Sequence, residues 1–340
     1  MRIGIDVRSL LEAHPSGVTM YTAALLEAML ALPERTATIC LFSSGWHVPT
    51  ERIKPLLRFP RVEWQHWQRP NKLAALGLQP RMDQFLHGVD VLFMPNWNFV
   101  RVSADCPVVL TIHDCATQLY PHLLSRKRRL WHRCIQPGRQ MRQAQQLIAV
   151  SHATRQALQE QFSIPPERIT VIHSAAPTPV APQPVEGLPK RYVVAIGAGE
   201  QRKNVATLRQ AHLPYPLVVI GEQGDFGYVT PEQKWYILQQ AEALIYDSLY
   251  EGFGFPPLEA FQAGVPVITS FSGAMPEVCG SAAMYVNPYS TIDLERAVNA
   301  VCTDQALRQR LVELGKQQLQ QLSWRKTAQQ TLQVLEQTVY

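Results

Sequence analysis

Two glutamates at a fixed spacing are the residues of this chain with the clearest potential for chemistry. Glu251 and Glu259 stand eight positions apart in the segment 251–260, which reads EGFGFPPLEA. Two glycines would let the backbone approach a ligand closely, and proline is well tolerated in the first turn of a helix. The segment therefore predicts a loop that turns into a short helix over roughly 257–263, with both carboxylates able to face one ligand.

The expected ligand carries negative charge in its middle and hydroxyl groups at its ends. The first turn of a helix leaves backbone N–H groups without intrahelical partners, and the helix dipole favours an anion there. Carboxylates on either side of that turn can accept hydrogen bonds from hydroxyl groups. A nucleoside diphosphate sugar has this layout, so we predict a donor-binding loop formed by Gly252, Phe253, Gly254 and Phe255.

The same segment resembles a known family. Glu251 to Glu259, followed by AFQAGVPVI at 260–268, is similar to the Glu-x7-Glu signature of glycosyltransferase family 4. That resemblance implies an α/β protein of the GT-B fold, in which two Rossmann-like domains enclose a cleft and the last helix crosses back to the first domain. It also implies that Glu259 holds the ribose hydroxyls of the donor and that Glu251 contacts the donor sugar.

Two adjacent cations follow a predicted strand over 192–196. Arg202 and Lys203 lie in the segment 199–204, which reads GEQRKN and opens a predicted helix. When a sugar–phosphate bond breaks, negative charge grows on the departing diphosphate, and fixed cations stabilise that charge most in the transition state. The family resemblance implies that these residues grip the two phosphates of the donor; a solvated basic helix start is the alternative.

Two segments of the N-terminal half also resemble donor contacts of the family. Gly17 lies in PSGVTMYT, where the family has a loop whose backbone reaches the diphosphate, but Thr19 and Met20 replace a second glycine and an arginine. His113 follows a predicted strand in the segment TIHD. The resemblance implies that this histidine lies beside the donor sugar, where the anomeric carbon becomes positive. A packing or capping role is the alternative.

Length and composition favour two α/β domains. A chain of 340 residues, 46% of them hydrophobic, is long enough for two cores. Five prolines in the segment 175–190 indicate an extended linker. We predict an N-terminal acceptor domain over 1–174, a linker over 175–190, a donor-binding domain over 191–322 and a C-terminal helix over 323–340 that packs on the first domain.

Short apolar runs alternate with helical stretches, as in parallel α/β domains. The predicted strands are 2–7, 38–42, 89–94, 108–112, 147–150, 169–172, 192–196, 217–220, 243–246 and 267–269. The predicted helices are 19–32, the stretch after an N-cap at Ser151 to about 161, 204–211, the signature helix and 307–339.

The donor-binding domain is expected to be short by one βα unit. Residues 221–228 run almost directly from one strand into 229–233, where family members carry an extra helix and strand. The loss falls near the side that would bind the nucleotide base. A non-catalytic GT-B subunit that partners an active transferase is therefore an alternative function. A different enzyme on the same fold, such as a nucleotide-sugar epimerase or a sugar phosphorylase, is another.

The sequence lacks the motifs of several other classes of enzyme. No Asp-x-Asp pair is present to hold a metal ion on a diphosphate, and no Cys/His spacing suits zinc. The first strand is not followed by the G-x-G-x-x-G of dinucleotide-binding enzymes. We therefore expect no metal and no cofactor other than the donor substrate, with Arg202, Lys203 and a helix dipole acting in place of an ion.

The cysteines and the N-terminus favour a cytoplasmic location. The six cysteines are scattered, which is typical of reduced structural thiols, and no secretory signal precedes the first strand. No apolar run approaches the roughly 18 residues of a membrane-spanning helix. The net charge of +5 is mild, and without a recognition motif it does not indicate nucleic-acid binding.

One basic and aromatic stretch suggests a membrane surface. Residues 126–133 read RKRRLWHR, and WQHWQR at 64–69 adds similar character upstream. Tryptophan and arginine together suit an anionic membrane or a lipid-phosphate acceptor. Peripheral contact with the inner face of a membrane is thus one interpretation, and a solvated helix face is the other.

These observations predict a glycosyltransferase, and the family resemblance implies that it is a retaining one. It would move a sugar from a nucleoside diphosphate to a saccharide or lipid-linked acceptor in cell-surface polysaccharide synthesis. The Arg-Lys-Asn sequence at 202–204 resembles the mannosyltransferase branch of the family and favours GDP-mannose as the donor. The resemblance implies attack on the same face of the sugar, with the leaving phosphate accepting the proton of the acceptor.

Overall fold

The computed structural model describes residues 1–12, 15–48, 50–69, 78–123 and 126–339. Two compact α/β units are present. The first comprises Met1–Thr117, Ser125–Ser174 and Trp324–Tyr340, and the second comprises Gln118–Leu124 and Ala175–Ser323. The proline-rich segment 175–190 thus lies in the second unit. No helix among the described residues is long and apolar enough to cross a membrane.

A seven-stranded parallel sheet forms the centre of the first unit. Its strands are β1 (Arg2–Asp6), β2 (Thr38–Ser44), β3 (Val62–Trp67), β4 (Val91–Met94), β5 (Val108–Ile112), β6 (Gln146–Ala149) and β7 (Ile169–Val171). They lie in the order β3-β2-β1-β4-β5-β6-β7, and every neighbouring pair is parallel. The order reverses direction between β1 and β4. In such sheets, ligands bind beyond the carboxyl ends of the strands at this switch point.

A five-stranded parallel sheet forms the centre of the second unit. Its strands are β8 (Val193–Ala198), β9 (Leu217–Gly221), β10 (Ala243–Tyr246), β11 (Val267–Ser270) and β12 (Ala283–Val286). Their order is β12-β11-β10-β8-β9, with all neighbours parallel. This is a doubly wound order whose switch point lies between β8 and β10. The loops after these two strands carry the predicted cations and Glu251.

The helices cover the faces of the two sheets. In chain order they are α1 (Gly17–Leu30), α2 (Thr50–Leu57), α3 (Met82–Phe85), α4 (Ala116–Leu119), α5 (Arg126–Ile135), α6 (Pro137–Gln143), α7 (His152–Phe162), α8 (Val205–Leu208), α9 (Pro231–Gln240), α10 (Phe255–Gln262), α11 (Met275–Cys279), α12 (Thr291–Thr303), α13 (Gln305–Gln320) and α14 (Trp324–Val339). Buried strands with helices on both sides read as nearly continuous apolar runs, which is why their sequences were readily assigned.

The last helix belongs to the first unit, as the predicted fold class requires. Helix α14 packs against α1, and its residues Ala328 and Leu335 are fully buried. Thr327 Oγ1 donates a hydrogen bond to the carbonyl oxygen of His173 at 2.7 Å. The chain therefore returns to the unit in which it begins.

The loop after β9 covers the edge of the second sheet. Asp225 Oδ2 accepts from Val219 N at 2.7 Å, Asp225 N donates to Val219 O at 2.7 Å, and Gly221 N donates to Gly227 O at 3.1 Å. Residues 222–230, all of them described, contain no helix or strand. Outward backbone groups of Val219 and Gly221 are thus paired within the chain, which hinders pairing of this edge with another molecule.

The structure corrects several sequence-based assignments. The predicted helix over 204–211 is only the short α8, because Asn204 adopts a left-handed backbone that separates it from the preceding turn. Helix α10 starts at Phe255, two residues before the predicted 257, since prolines in a first turn need no N–H partner. Strands β3 and β12 were not predicted, and neither were helices α2, α3, α4, α6, α9, α11 and α12. The segment 64–67 is part of β3 and not a free aromatic surface.

Candidate active site

Two cations and one carboxylate converge at the switch point of the second sheet. Arg202 and Lys203 follow β8, and Glu251 follows β10. Arg202 Nη1 lies 2.7 Å from Glu251 Oε2, and Lys203 Nζ lies 2.6 Å from Glu251 Oε1. Each oxygen of the carboxylate thus holds a different cation. We call these three residues the switch-point cluster.

The turn after β8 aims both cations at Glu251. Gly197 has φ of +110°, and a Cβ atom there would lie 2.7 Å from Lys203 Cγ, so only glycine leaves room for the lysine side chain. Arg202 also donates from Nε to Glu200 Oε2 at 2.9 Å. The turn is tied to the loop after β10 because Leu249 N donates to Arg202 O at 2.8 Å.

Asn204 closes this turn. Its φ of 58° is left-handed, a conformation that asparagine tolerates better than most residues. Its amide donates to Asp247 Oδ2 at 3.1 Å and to the carbonyl oxygen of Pro288 at 2.7 Å, and its oxygen accepts from Thr207 Oγ1 at 2.7 Å. Burial raises the pKa of Asp247 to about 7. This asparagine therefore fixes the two preceding cations against β10.

Charge controls ionisation in the switch-point cluster. Burial alone would raise the pKa of Glu251, but the positive charges of Arg202 and Lys203, with the hydrogen bond from Lys203, lower it to about 2. Burial lowers the pKa of Lys203, while Glu251 opposes that change. Glu251 is only 5% exposed, so its two cations stabilise its charge in place of water.

Tyr246 provides a second partner for Lys203. It is the last residue of β10, and its buried hydroxyl lies 2.5 Å from Lys203 Nζ. Burial and the nearby charge of Glu251 raise the pKa of this tyrosine well above its ordinary value, so the hydroxyl stays protonated. The lysine is therefore held between a neutral oxygen and a charged one.

The loop between Glu251 and Glu259 leads directly into α10. Gly254 is the residue before the helix, with φ of +100°, and Phe255 is the first helical residue. Gly252 is buried, and the rings of Phe253 and Phe255 meet edge to face with centroids 5.6 Å apart. The positive end of the α10 dipole thus lies four residues after Glu251 in the chain.

Glu259 occupies a different place from the switch-point cluster. It is 3% exposed on α10, and its Oε1 lies 2.5 Å from Lys234 Nζ on α9. Its other oxygen, Oε2, is buried and has no hydrogen-bond partner among the described residues. The two glutamates of the sequence signature are therefore each paired with lysine, but with different lysines.

His113 lies in the first unit, directly after β5. Its Nε2 lies 2.8 Å from the carbonyl oxygen of Pro95, which can only accept, so Nε2 carries the proton and Nδ1 is an acceptor in the neutral ring. Burial lowers the pKa of His113. The ring meets that of Tyr21 edge to face, with centroids 4.7 Å apart. These contacts place a neutral imidazole at the carboxyl end of the sheet.

Gly17 is the first residue of α1 in the first unit. The Ser16 side chain accepts from Thr19 N, and Thr19 Oγ1 accepts from Ser16 N at 3.1 Å and lies 2.9 Å from Glu12 Oε2. Thr19, which replaces a family glycine, thus closes the helix start. No role of Gly17 in ligand binding follows from these contacts.

Sequence reasoning missed three side chains that support this site. Tyr246 and Asp247 end a strand that was predicted, but nothing local indicates what they contact. Lys234 lies in a helix that was not predicted at all, and it is more than twenty residues from Glu259 in the chain. For Asn204 the sequence offered one signal, because asparagine often occupies a left-handed backbone position where a turn ends.

The family models and the relatives that this chain resembles are all glycosyltransferases. Residues 15–178 match the family model described as Glycosyltransferase Family 4, and residues 185–318 match the one described as Glycosyl transferases group 1. The O-antigen chain mannosyltransferase B of Escherichia coli is 30% identical over 227 residues, which cover 56% of this chain and 60% of that protein. The chain thus spans less than two thirds of the length of this relative.

Solved structures show the same fold at low sequence identity. Sucrose-phosphate synthase from Thermosynechococcus elongatus superposes with a TM-score of 0.71 at 17% identity, covering 99% of this chain and 98% of that one. HepE from Anabaena, solved in complex with UDP and glucose, gives 0.66 at 19% identity and covers 99% of this chain and 100% of that one. The GT-B fold predicted from the sequence is confirmed. The two models match successive segments of the chain and both describe glycosyltransferases, which confirms the resemblance to glycosyltransferase family 4 found in the sequence.

Proposed function

We propose that this protein is a retaining glycosyltransferase that uses a nucleoside diphosphate sugar as its donor. The observation that carries the proposal is the switch-point cluster, in which Arg202 and Lys203 meet one buried carboxylate. Two fixed cations beyond the carboxyl ends of β8 and β10 suit a diphosphate. The dipole of α10 adds a further attraction for an anion.

The transfer moves one glycosyl group. The bond between the anomeric carbon and the phosphate oxygen breaks, and its electron pair stays on that oxygen. The oxygen of an acceptor hydroxyl bonds to the same face of the anomeric carbon, and its proton passes to the departing phosphate. Arg202 and Lys203 stabilise the charge that develops on the leaving group, which lowers the barrier to bond breaking.

Each glutamate takes a separate part of the donor in this proposal. Glu251 contacts the donor sugar and keeps the two cations together, and Glu259 accepts hydrogen bonds from the ribose hydroxyls. The proposed site requires no metal ion, because Arg202 and Lys203 supply positive charge where the diphosphate needs it. The predicted roles of Gly17 and His113 stay predictions.

We further propose mannose as the sugar and GDP as the nucleotide. The name of the Escherichia coli relative, an O-antigen chain mannosyltransferase, supports mannose and an acceptor that is a saccharide or a lipid-linked saccharide. The Arg-Lys-Asn sequence of the turn after β8 supports the same branch. The process would be the synthesis of a cell-surface polysaccharide.

Helix α5 is the part of the first unit that suits an anionic membrane. Leu130 is 64% exposed and Trp131 is 40% exposed, and Arg129 and Arg133 are exposed beside them. Apolar side chains flanked by arginines can insert at the headgroup level of a bilayer. We propose that this helix contacts the membrane that carries a lipid-linked acceptor.

Replacement of Lys203 tests the proposed catalysis. We expect Lys203→Ala to lower kcat by about 100-fold, because the departing diphosphate loses a fixed cation. Transfer of radiolabelled mannose from GDP-mannose to lipid-linked saccharides, measured with EDTA present, reports this rate. Lys316→Ala is the matched control, since that lysine is exposed and pairs only loosely with Glu313. An unchanged rate in Lys203→Ala contradicts the assigned role.

The ionised state of Glu251 predicts a pH-dependent stability. Its pKa of about 2 in the folded protein lies below the ordinary 4.5, so its charge stabilises the fold above pH 4.5 and that contribution is lost as the pH falls toward 2. The difference in free energy of unfolding between the wild type and Glu251→Gln should be constant above about pH 5 and shrink by about 2 kcal/mol by pH 3. Urea unfolding from pH 7 to pH 3 measures it.

A matched control separates this effect from general acid destabilisation. Glu313→Gln alters an exposed carboxylate, 61% accessible, and should leave the free energy difference from the wild type nearly flat across the same pH range. If the Glu251→Gln difference is equally flat, the cations do not hold that carboxylate in its ionised form.

Sedimentation with lipid vesicles tests the membrane contact. Vesicles that contain anionic lipid should pull down the wild type at low salt, and the double change Leu130→Gln with Trp131→Gln should weaken binding by about tenfold because two apolar side chains no longer insert. Trp46→Gln is the control, since Trp46 is 63% exposed elsewhere in the first unit. Failure of the wild type to bind such vesicles at low salt would end this proposal.

A further inference from the structure

One buried carboxylate oxygen outside the switch-point cluster has no hydrogen-bond partner among the described residues. It is Glu259 Oε2, on a side chain that is 4% exposed. The other oxygen of the same carboxylate, Oε1, lies 2.5 Å from Lys234 Nζ. A buried polar atom without a partner costs about 1 to 3 kcal/mol. An oxygen held in this way is suited to a donor group that arrives with a ligand.

Lys234 is placed so that it fixes the direction of that oxygen. It lies in the first half of α9, a helix that follows a capping box at its N-cap Thr230 and is anchored by the buried Trp235 and Leu238. Its side chain is 22% exposed, so Nζ reaches a buried carboxylate while keeping contact with solvent. The hydrogen bond from Nζ goes to Oε1 and not to Oε2, so the pairing leaves Oε2 available.

We infer that Lys234 is a positioning residue for recognition of the donor ribose. It holds Glu259 in the rotamer that presents Oε2 to the vicinal hydroxyls. The inference rests on the proposed function and deepens it, since it assigns discrimination between ribose and deoxyribose to the pair of Lys234 and Glu259. A hydrogen bond to a charged acceptor is about twice as strong as a neutral one.

The site would discriminate ribose from deoxyribose because a ligand without the hydroxyls leaves the buried carboxylate of Glu259 without a hydrogen-bond donor. A site built to bond a hydroxyl rejects an analogue that lacks it, because the buried polar group stays unpaired. Without Lys234, both oxygens of Glu259 would lack a partner, and the carboxylate would be free to turn away from the ligand. Removal of Lys234 would then weaken the contact with the ribose hydroxyls and leave the phosphate contacts of Arg202 and Lys203 intact.

Nucleotides that differ only in their ribose hydroxyls test the contact with Glu259 separately from the phosphate contacts. We would titrate the protein with GDP and with 2′,3′-dideoxy-GDP, and with the corresponding UDP pair, by calorimetry without added metal. The wild type should bind the ribose form at least about tenfold more tightly than the dideoxy form. Lys234→Met should weaken binding of the ribose form by about tenfold and leave the dideoxy form nearly unchanged, so that the preference is lost.

Conservative and distant replacements serve as controls. Lys234→Arg retains a cation beside Glu259 and should keep most of the preference for ribose. Lys316→Met removes an exposed lysine of α13 and should change neither affinity. Melting temperatures check that each variant is folded, and Lys234→Gln replaces the methionine variant if that one is destabilised.

The outcomes separate this inference from the proposed function. Equal weakening of both nucleotide forms by Lys234→Met would mean that the lysine is only structural, and would overturn the inference. Equal binding of both forms by the wild type would overturn it as well, while leaving a diphosphate site in place. If the wild type binds none of the four nucleotides, the proposed donor site itself is wrong and the inference fails with it.

Discussion

The candidate site depends on one buried carboxylate that separates two cations. Arg202 and Lys203 are neighbours in the chain, and the charge of Arg202 acts to lower the pKa of Lys203. Burial acts in the same direction. Glu251 opposes both effects by placing one oxygen on each cation. Without this carboxylate, two positive charges would be held together in a place with little water, which is unfavourable unless an anion arrives.

The topology of the second sheet brings these three residues together. Its strand order reverses between β8 and β10, so the connections after these strands leave the sheet on opposite faces and open a crevice at their carboxyl ends. The cations follow one of these strands and Glu251 follows the other. The structure ties the two loops by a backbone bond from Leu249 to Arg202 and by the side chain of Asn204. A diphosphate that reaches this crevice would meet cations that are already oriented, so little ordering remains to oppose binding.

The parts of the site that were predictable from the sequence are those set by local chemistry. Glycines and prolines determine the turn into α10, and a short loop after β8 brings two cations to the end of a buried strand. Tyr246, Asp247 and Lys234 were not predictable, because their partners lie on other strands and helices and no spacing records such contacts. The same reason explains the missed β3, where Gln65 and His66 hide a strand at the edge of the sheet. The helix predicted over 204–211 is shorter than expected because Asn204 has a left-handed backbone, which belongs to the turn before the helix.

We propose above all that the switch-point cluster binds the diphosphate of a nucleotide without a metal ion. The most direct measurement is thermal stabilisation by UDP, GDP, ADP, CDP and TDP in the presence of EDTA, for the wild type and for Arg202→Ala. A ligand that binds only the folded protein raises the melting temperature by mass action. We predict a rise in the melting temperature with one nucleotide, GDP, and the loss of that rise in Arg202→Ala. No rise with any of the five would contradict it and would favour a non-catalytic role for this GT-B protein.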